Sequence, residues 1–282
     1  MPYGVEVQAV DLSRFRDVEA VLFDLDATLI HLQGASVTDV FSQAARSAHA
    51  WLIREGRSAP PEPVYVRRVR WTLMRAVFWS RMVRREVDLL GTLRRCHRGM
   101  RLDWLPDDAV QLTMQFAAVF RRLYMPDVHA AGTLRSLQQA GLRLGLVSNT
   151  MLPTVVVDDH LRASGLMEFL PVRVLSSETR YMKPDPRIFR LALDRVGVPA
   201  ERTLFVGDRT DTDVAGASRV GMATVLILHD ARPGRGSRRA DCVVRSLAEI
   251  PALLPAGRLA GAVGEVATKA PATTRLRAVD VG

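Results

Sequence analysis

The sequence predicts an α/β fold, a doubly wound parallel sheet that carries one long helical insert. Three observations predict it. From Val128 onward, short apolar runs of strand length alternate with segments of helical period, the pattern of βαβ units. An earlier apolar run from Ala20 to Phe23 ends in two carboxylates, Asp24 and Asp26, at the kind of strand terminus where such sheets place their ligand crevice. Between Ile30 and about Asp127, strand signals give way to long stretches of 3.6 period.

The elements follow in order. Residues 1–17 read as a lead-in to the first strand. The insert reads as helices over Val37 to Glu55, Val64 to Arg95 and Asp107 to Tyr124, with Pro60, Pro61 and Pro63 breaking the first from the second. A helix through Leu134 and Leu137 stops at Gly141, and the strand Leu142 to Val147 ends in Ser148-Asn149-Thr150. Another helix ends near Gly165, and a strand covers Val172 to Leu175. In Lys183-Pro184-Asp185-Pro186, Asp185 is placed as N-cap and Pro186 as the first residue of a helix running to Gly197. The strand Thr203 to Val206 ends in Gly207-Asp208, and the loop 209–213 leads to a helix that stops at Gly221. Strands at 223–228 and 241–244 close the series, and a capping-box pattern from Ser246 to Glu249 opens a last helix. The expected organisation is an α/β core over 1–30 and 128–254, a helical insert over 31–127, and a flexible C-terminal tail over 255–282.

Composition bounds the function. At 282 residues and 48% hydrophobic, the chain can bury a sizeable core. Cys96 and Cys242 offer neither a disulfide framework nor metal-ligand spacing. With no signal-peptide pattern and no apolar run of membrane-spanning length, the expectation is a soluble cytoplasmic protein, monomer or homodimer. The net charge of +9 would suit nucleic acid, but 37 of the 39 basic residues are arginines spread along the whole chain, so no nucleic-acid partner is expected. The same bias singles out Lys183, the only lysine before the tail, as a position that needs a compact ammonium. The stretch from Val64 to Val87 interleaves seven arginines with Trp71, Phe78 and Trp79. It reads as a solvated helix face with snorkelling arginines; the alternatives are a basic amphipathic helix for a membrane surface or nucleic acid, and one or two arginines that bind a distal anionic group of a substrate.

The polar residues at the strand ends carry the chemistry. Asp24 and Asp26, two apart, would crowd like charges on one face, a cost relieved by a cation between them or by protonation of one. Ser148, Lys183 and Asp208 stand at or beyond the ends of other strands and converge on the same crevice. Taken singly, Ser148 also suits a helix cap and Asp213 a helix N-terminus, while Asp211 suits a plain loop carboxylate.

The order Asp-x-Asp, Ser, Lys, Gly-Asp-x-x-x-x-Asp resembles the haloacid dehalogenase (HAD) superfamily over roughly 18–30 and 128–254, and the insert resembles the C1-type cap of its phosphoglycolate-phosphatase-like branch. The resemblance implies a Rossmann-like core and an Mg²⁺-dependent phosphatase acting on a small phosphate monoester through an aspartyl-phosphate intermediate. It implies Asp24 as nucleophile and Asp26 as general acid and base. It implies metal binding by the side chains of Asp24 and Asp208 and the backbone carbonyl of Asp26. Ser148, Asn149 and Thr28 would contact the phosphoryl group, Lys183 would stabilise its charge, and Asp213 with Asp211 would orient Lys183 or metal-bound water. His31 reads as a residue of the cap hinge. Ala27 stands where glycine is usual, which strains the turn if that position needs a positive φ. The alternatives are a phosphomutase of the same fold, an L-2-haloacid dehalogenase, against which Asp26 argues, and a non-catalytic regulatory or binding protein.

Overall fold

The computed structural model describes residues 12–229 and 239–254. The expected lead-in therefore lies partly, and the expected tail wholly, outside the described residues. Six strands form one parallel sheet: β1 (Ala20–Phe23), β4 (Arg143–Ser148), β5 (Val172–Leu175), β6 (Thr203–Gly207), β7 (Ala223–Ile227) and β8 (Cys242–Val244), ordered β5-β4-β1-β6-β7-β8. β1 lies between β4 and β6, with Phe23 opposite both Leu146 and Val206. Every β1 side chain is buried because alternate residues enter different cores. Val21 and Phe23 pack on one face with Leu134 and Leu137 of α5 (Ala130–Gln139) and with Val157 and Leu161 of α6 (Thr154–Ala163). Ala20 and Leu22 pack on the other with Ile188, Phe189 and Ala192 of α8 (Pro186–Val196). Helices on both faces make the sheet doubly wound, as expected.

α8 begins as its sequence requires, with the Asp185 carboxylate accepting from Arg187 N at 2.9 Å and Pro186 in the first turn. It ends at Gly197, whose φ of 67° is the left-handed conformation glycine adopts freely. The segment after β6 is a π-helical turn over Thr210–Val214 that runs into α9 (Ala215–Arg219). The capping box of Ser246 and Glu249 forms, but it opens two 3₁₀ turns, Leu247–Glu249 and Pro251–Leu253, rather than an α-helix.

The insert holds α1 (Val37–Arg54), α2 (Glu62–Val83), α3 (Leu89–Gly99) and α4 (Asp108–Leu123). The single helix expected over 64–95 is two: Arg84 takes φ 53°, and Asp88 caps the new start by accepting from Gly91 N at 2.9 Å. No proline or glycine marks that break, so periodicity ran across it. Sequence reading also missed a two-stranded antiparallel ribbon of β2 (Ile30–Leu32) with β3 (Tyr124–Pro126), through which the insert leaves and rejoins the sheet. Three residues are too few for a period-2 signal. Among the described residues, no helix is long and apolar enough to cross a membrane.

Candidate active site

Three strand ends meet at one cleft of about 550 Å³, lined by Asp24, Ser148, Lys183, Asp208 and Asp213 among others. Asp24 extends β1 by one residue, its N–H donating to Val206 O at 2.9 Å, which fixes where the carboxylate stands. Lys183, buried to 4% exposure, places Nζ 2.5 Å from Asp24 Oδ1 and 2.7 Å from Asp213 Oδ1. The second oxygen of Asp213 accepts from Arg209 N at 3.0 Å. Gly207 permits this close approach, since a Cβ there would lie 2.5 Å from Asp213 Oδ2.

One carboxylate oxygen from each of Asp24, Asp208 and Asp213 lies within 4.8 Å of the others. Burial pushes all three carboxyls up to about 6, against the pull of Lys183. Burial by itself would lower Lys183, but Asp213 and Asp24 together hold it above the usual lysine range. Asp208 Oδ1 is buried without a hydrogen-bond partner among the described residues. An unpaired buried carboxylate oxygen inside an all-oxygen donor set fits a hard divalent cation such as Mg²⁺.

The remaining expected residues fall in different places. Asp26 is exposed to the cleft, whose walls displace enough solvent to raise its carboxyl, and its backbone bridges to Ile30. Ala27, between them, does take a positive φ, 59°. Thr28 is fully buried, its hydroxyl without a partner among the described residues. Ser148 ends β4 and is 2% exposed. Asn149 turns its amide onto the Lys183 peptide, accepting from Lys183 N at 2.7 Å and donating to Lys183 O at 3.0 Å. Asp211 is exposed and paired with Arg209 at 2.9 Å, outside the Asp24–Asp208–Asp213 cluster.

Sequence reading left open which of the seven arginines between Val64 and Val87 face a substrate, and it missed Glu86. Arg81, at the end of α2, and Arg84 beyond it line the same cleft from the insert. Glu86 follows them, its buried carboxyl raised by desolvation and accepting from Ser176, the first residue of α7 (Ser176–Thr179). Ser176 Oγ in turn accepts from Thr150 N at 2.8 Å, so the insert is tied to the loop after β4.

This geometry belongs to a sheet enzyme with an acidic, lysine-bearing crevice at its strand ends. The family of haloacid dehalogenase-like hydrolases matches residues 18–221, and the chain belongs to it. It is 30% identical over 248 residues, 86% of this chain and 96% of the relative, to a plasmid-encoded phosphoglycolate phosphatase of Cupriavidus necator. It is 40% identical over 102 residues to a glyceraldehyde 3-phosphate phosphatase of Methanopyrus kandleri, 36% of this chain and 42% of that protein. The chain spans about half the length of the archaeal phosphatases of that name that it matches. Among solved structures, a 2-haloacid dehalogenase of Pseudomonas syringae pv. Tomato superposes with a TM-score of 0.59 at 22% identity, over 84% of this chain and 97% of that one. A HAD phosphatase of Thermococcus onnurineus gives 0.56 at 22%, over 84% and 97%. These two likenesses concern the fold.

Proposed function

We propose that the protein is a phosphatase that hydrolyses a small phosphate monoester through an aspartyl-phosphate on Asp24. The observation that carries this reading is the pairing of buried Asp24 with Lys183 beside two further carboxylates, Asp208 just past β6 and Asp213 in the turn that follows. Asp24, fixed by its N–H on β6, attacks phosphorus and displaces the alkoxide. Asp26, open to the cleft and raised in pKa, gives the leaving oxygen its proton. The same carboxylate then takes a proton from the water that cleaves the aspartyl-phosphate, and Asp24 is restored.

Lys183 holds Asp24 in place and faces the negative charge that builds on the phosphoryl oxygens. Asp213 keeps Lys183 charged and aimed. Ser148, at the end of β4 and lining the cleft, offers its hydroxyl to a phosphoryl oxygen, whereas Thr28 lies fully buried. Asp24, Asp208 and the Asp26 carbonyl would hold Mg²⁺, which when bound neutralises anionic charge between nucleophile and phosphate.

The helical insert acts as a cap that shields the site from bulk water, with Glu86 and Ser176 as one of its contacts to the core. Arg81 and Arg84 favour a substrate with a second anionic group, such as a carboxylate. Phosphoglycolate, named for the C. necator relative, has that chemistry.

The test is p-nitrophenyl phosphate hydrolysis with Mg²⁺ and with EDTA, on the wild type and on Asp24→Asn. Turnover that needs Mg²⁺ and disappears in Asp24→Asn is expected. Absence of turnover by the folded wild type, on this ester and on a panel of metabolite phosphates, would overturn the reading.

A further inference from the structure

A second group of potential ligands, sharing no residue with the acidic cluster, stands where the insert joins the sheet. His31 sits in the middle of β2, Asp127 directly follows β3, and His229 lies two residues beyond β7. One donor atom from each lies within 4.8 Å of the other two, and all three residues are partly exposed. His31 Nε2 is 3.1 Å from Asp127 Oδ2, and the two imidazoles meet edge to face with centroids 4.5 Å apart.

Separate restraints hold each member. Asp127 N donates to Leu29 O at 2.9 Å, and Asp127 Oδ1 accepts from His129 N at 2.8 Å, so Oδ2 is the oxygen turned to the histidines. His31 is fixed by its ribbon pairing with Met125. His229 Nε2 lies 3.2 Å from Ala27 O, the kind of backbone contact that orients the second nitrogen of a metal-bound imidazole.

Two imidazoles and one carboxylate make a borderline donor set. It suits Zn²⁺, Co²⁺ or a similar transition ion, not Mg²⁺, which takes oxygen ligands and keeps its waters. Partial exposure leaves room for water to complete the coordination. We propose that His31, Asp127 and His229 form a binding site for a divalent transition-metal ion. Such an ion ties both strands of the ribbon to the end of β7, and through Ala27 to the loop that carries Asp26. It thereby sets the position of the insert at its point of attachment.

The experiment uses the full chain, stripped with EDTA and held in excess Mg²⁺ to occupy the carboxylate site, titrated with Co²⁺ and followed by visible absorption. One equivalent that Mg²⁺ does not displace is expected, with the intense d–d bands of a nitrogen-bearing site of low coordination number. His31→Ala and His229→Ala each weaken it by about 100-fold, whereas Asp208→Asn leaves it unchanged. If either histidine variant fails to fold, electron paramagnetic resonance of the wild type with one equivalent of Cu²⁺ replaces it, and coupling to two imidazole nitrogens is expected. Failure to find the Mg²⁺-resistant equivalent, its survival in the histidine variants, or Cu²⁺ coupling to fewer than two imidazoles would overturn the site.

Discussion

Asn149 grips the peptide of Lys183 from both sides, its Oδ1 2.7 Å from Lys183 N and its Nδ2 3.0 Å from Lys183 O. The loop after β4 thus sets the backbone from which the Lys183 ammonium reaches Asp24. Asn149→Ala removes both bonds and leaves the ammonium charged but loosely aimed. It should lower kcat on p-nitrophenyl phosphate by about 10- to 100-fold, as misplacement of a catalytic group by a fraction of an ångström does. KM should move less, and urea unfolding should show a loss of about 1–2 kcal/mol.

With Mg²⁺ held as proposed, the crowded carboxylates should make stability depend on Mg²⁺ and pH together. Asp24, Asp208 and Asp213 titrate near 6 in the fold, against an ordinary 3.8. The folded state therefore binds protons more tightly, and the stability these groups contribute is full below 3.8 and is lost as pH rises through about 6. Added Mg²⁺ should raise Tm more at about pH 7.5 than at about pH 5, where protons already relieve the repulsion. Asp208→Asn should raise the metal-free Tm at about pH 7.5 and abolish the Mg²⁺ response, both read by differential scanning calorimetry.

Ala27 adopts φ 59°, a conformation that costs an L-residue with a Cβ roughly 1–2 kcal/mol. Glycine loses that strain but brings extra unfolded-state entropy. Ala27→Gly should thus stabilise the protein by about 0.5–1 kcal/mol in urea unfolding.

His97 is fully buried in the insert, its Nε2 2.8 Å from Tyr65 Oη, and burial lowers its pKa to about 4. The folded state holds it neutral while the unfolded chain protonates it near 6.5. Its contribution is complete above pH 6.5 and declines as pH falls towards 4, by up to about 3 kcal/mol. The stability difference between wild type and His97→Asn, measured by urea unfolding, should shrink over that interval.

Arg81 and Arg84 line the cleft from the insert. Alanine at either position should raise KM for a carboxylate-bearing phosphate ester by about 10-fold. Hydrolysis of p-nitrophenyl phosphate, which lacks a second anion, should change less than about two-fold.

The sheet was legible because its strands are short apolar runs, two of them stopped by carboxylates, as Phe23 is by Asp24 and Gly207 by Asp208. The crevice was legible for the same reason, and Lys183 stood out against a background of arginine. The amide of Asn149 spans to a residue 34 positions away, and no local pattern announces such a contact. Arg84 breaks α2 from α3 without glycine or proline, so the position that opens the cleft wall was hidden inside a continuous helical period. The site of Ala27 was noticed, but its φ depends on the turn back to Ile30 O, which accepts from Ala27 N at 2.8 Å.

The ribbon of β2 and β3 brings Leu32 opposite Tyr124, and Gln33 N donates to Leu123 O at 2.8 Å, so the two ends of the insert lie side by side. The polypeptide makes its excursion and returns to the point of departure. A change of length or sequence anywhere between those ends leaves the strand order of the sheet untouched, because nothing in the sheet registers the size of the detour. Under the proposed function, substrate choice could in this way be rewritten like a clause in parentheses, while the sentence around it, from Asp24 to Asp213, keeps its meaning.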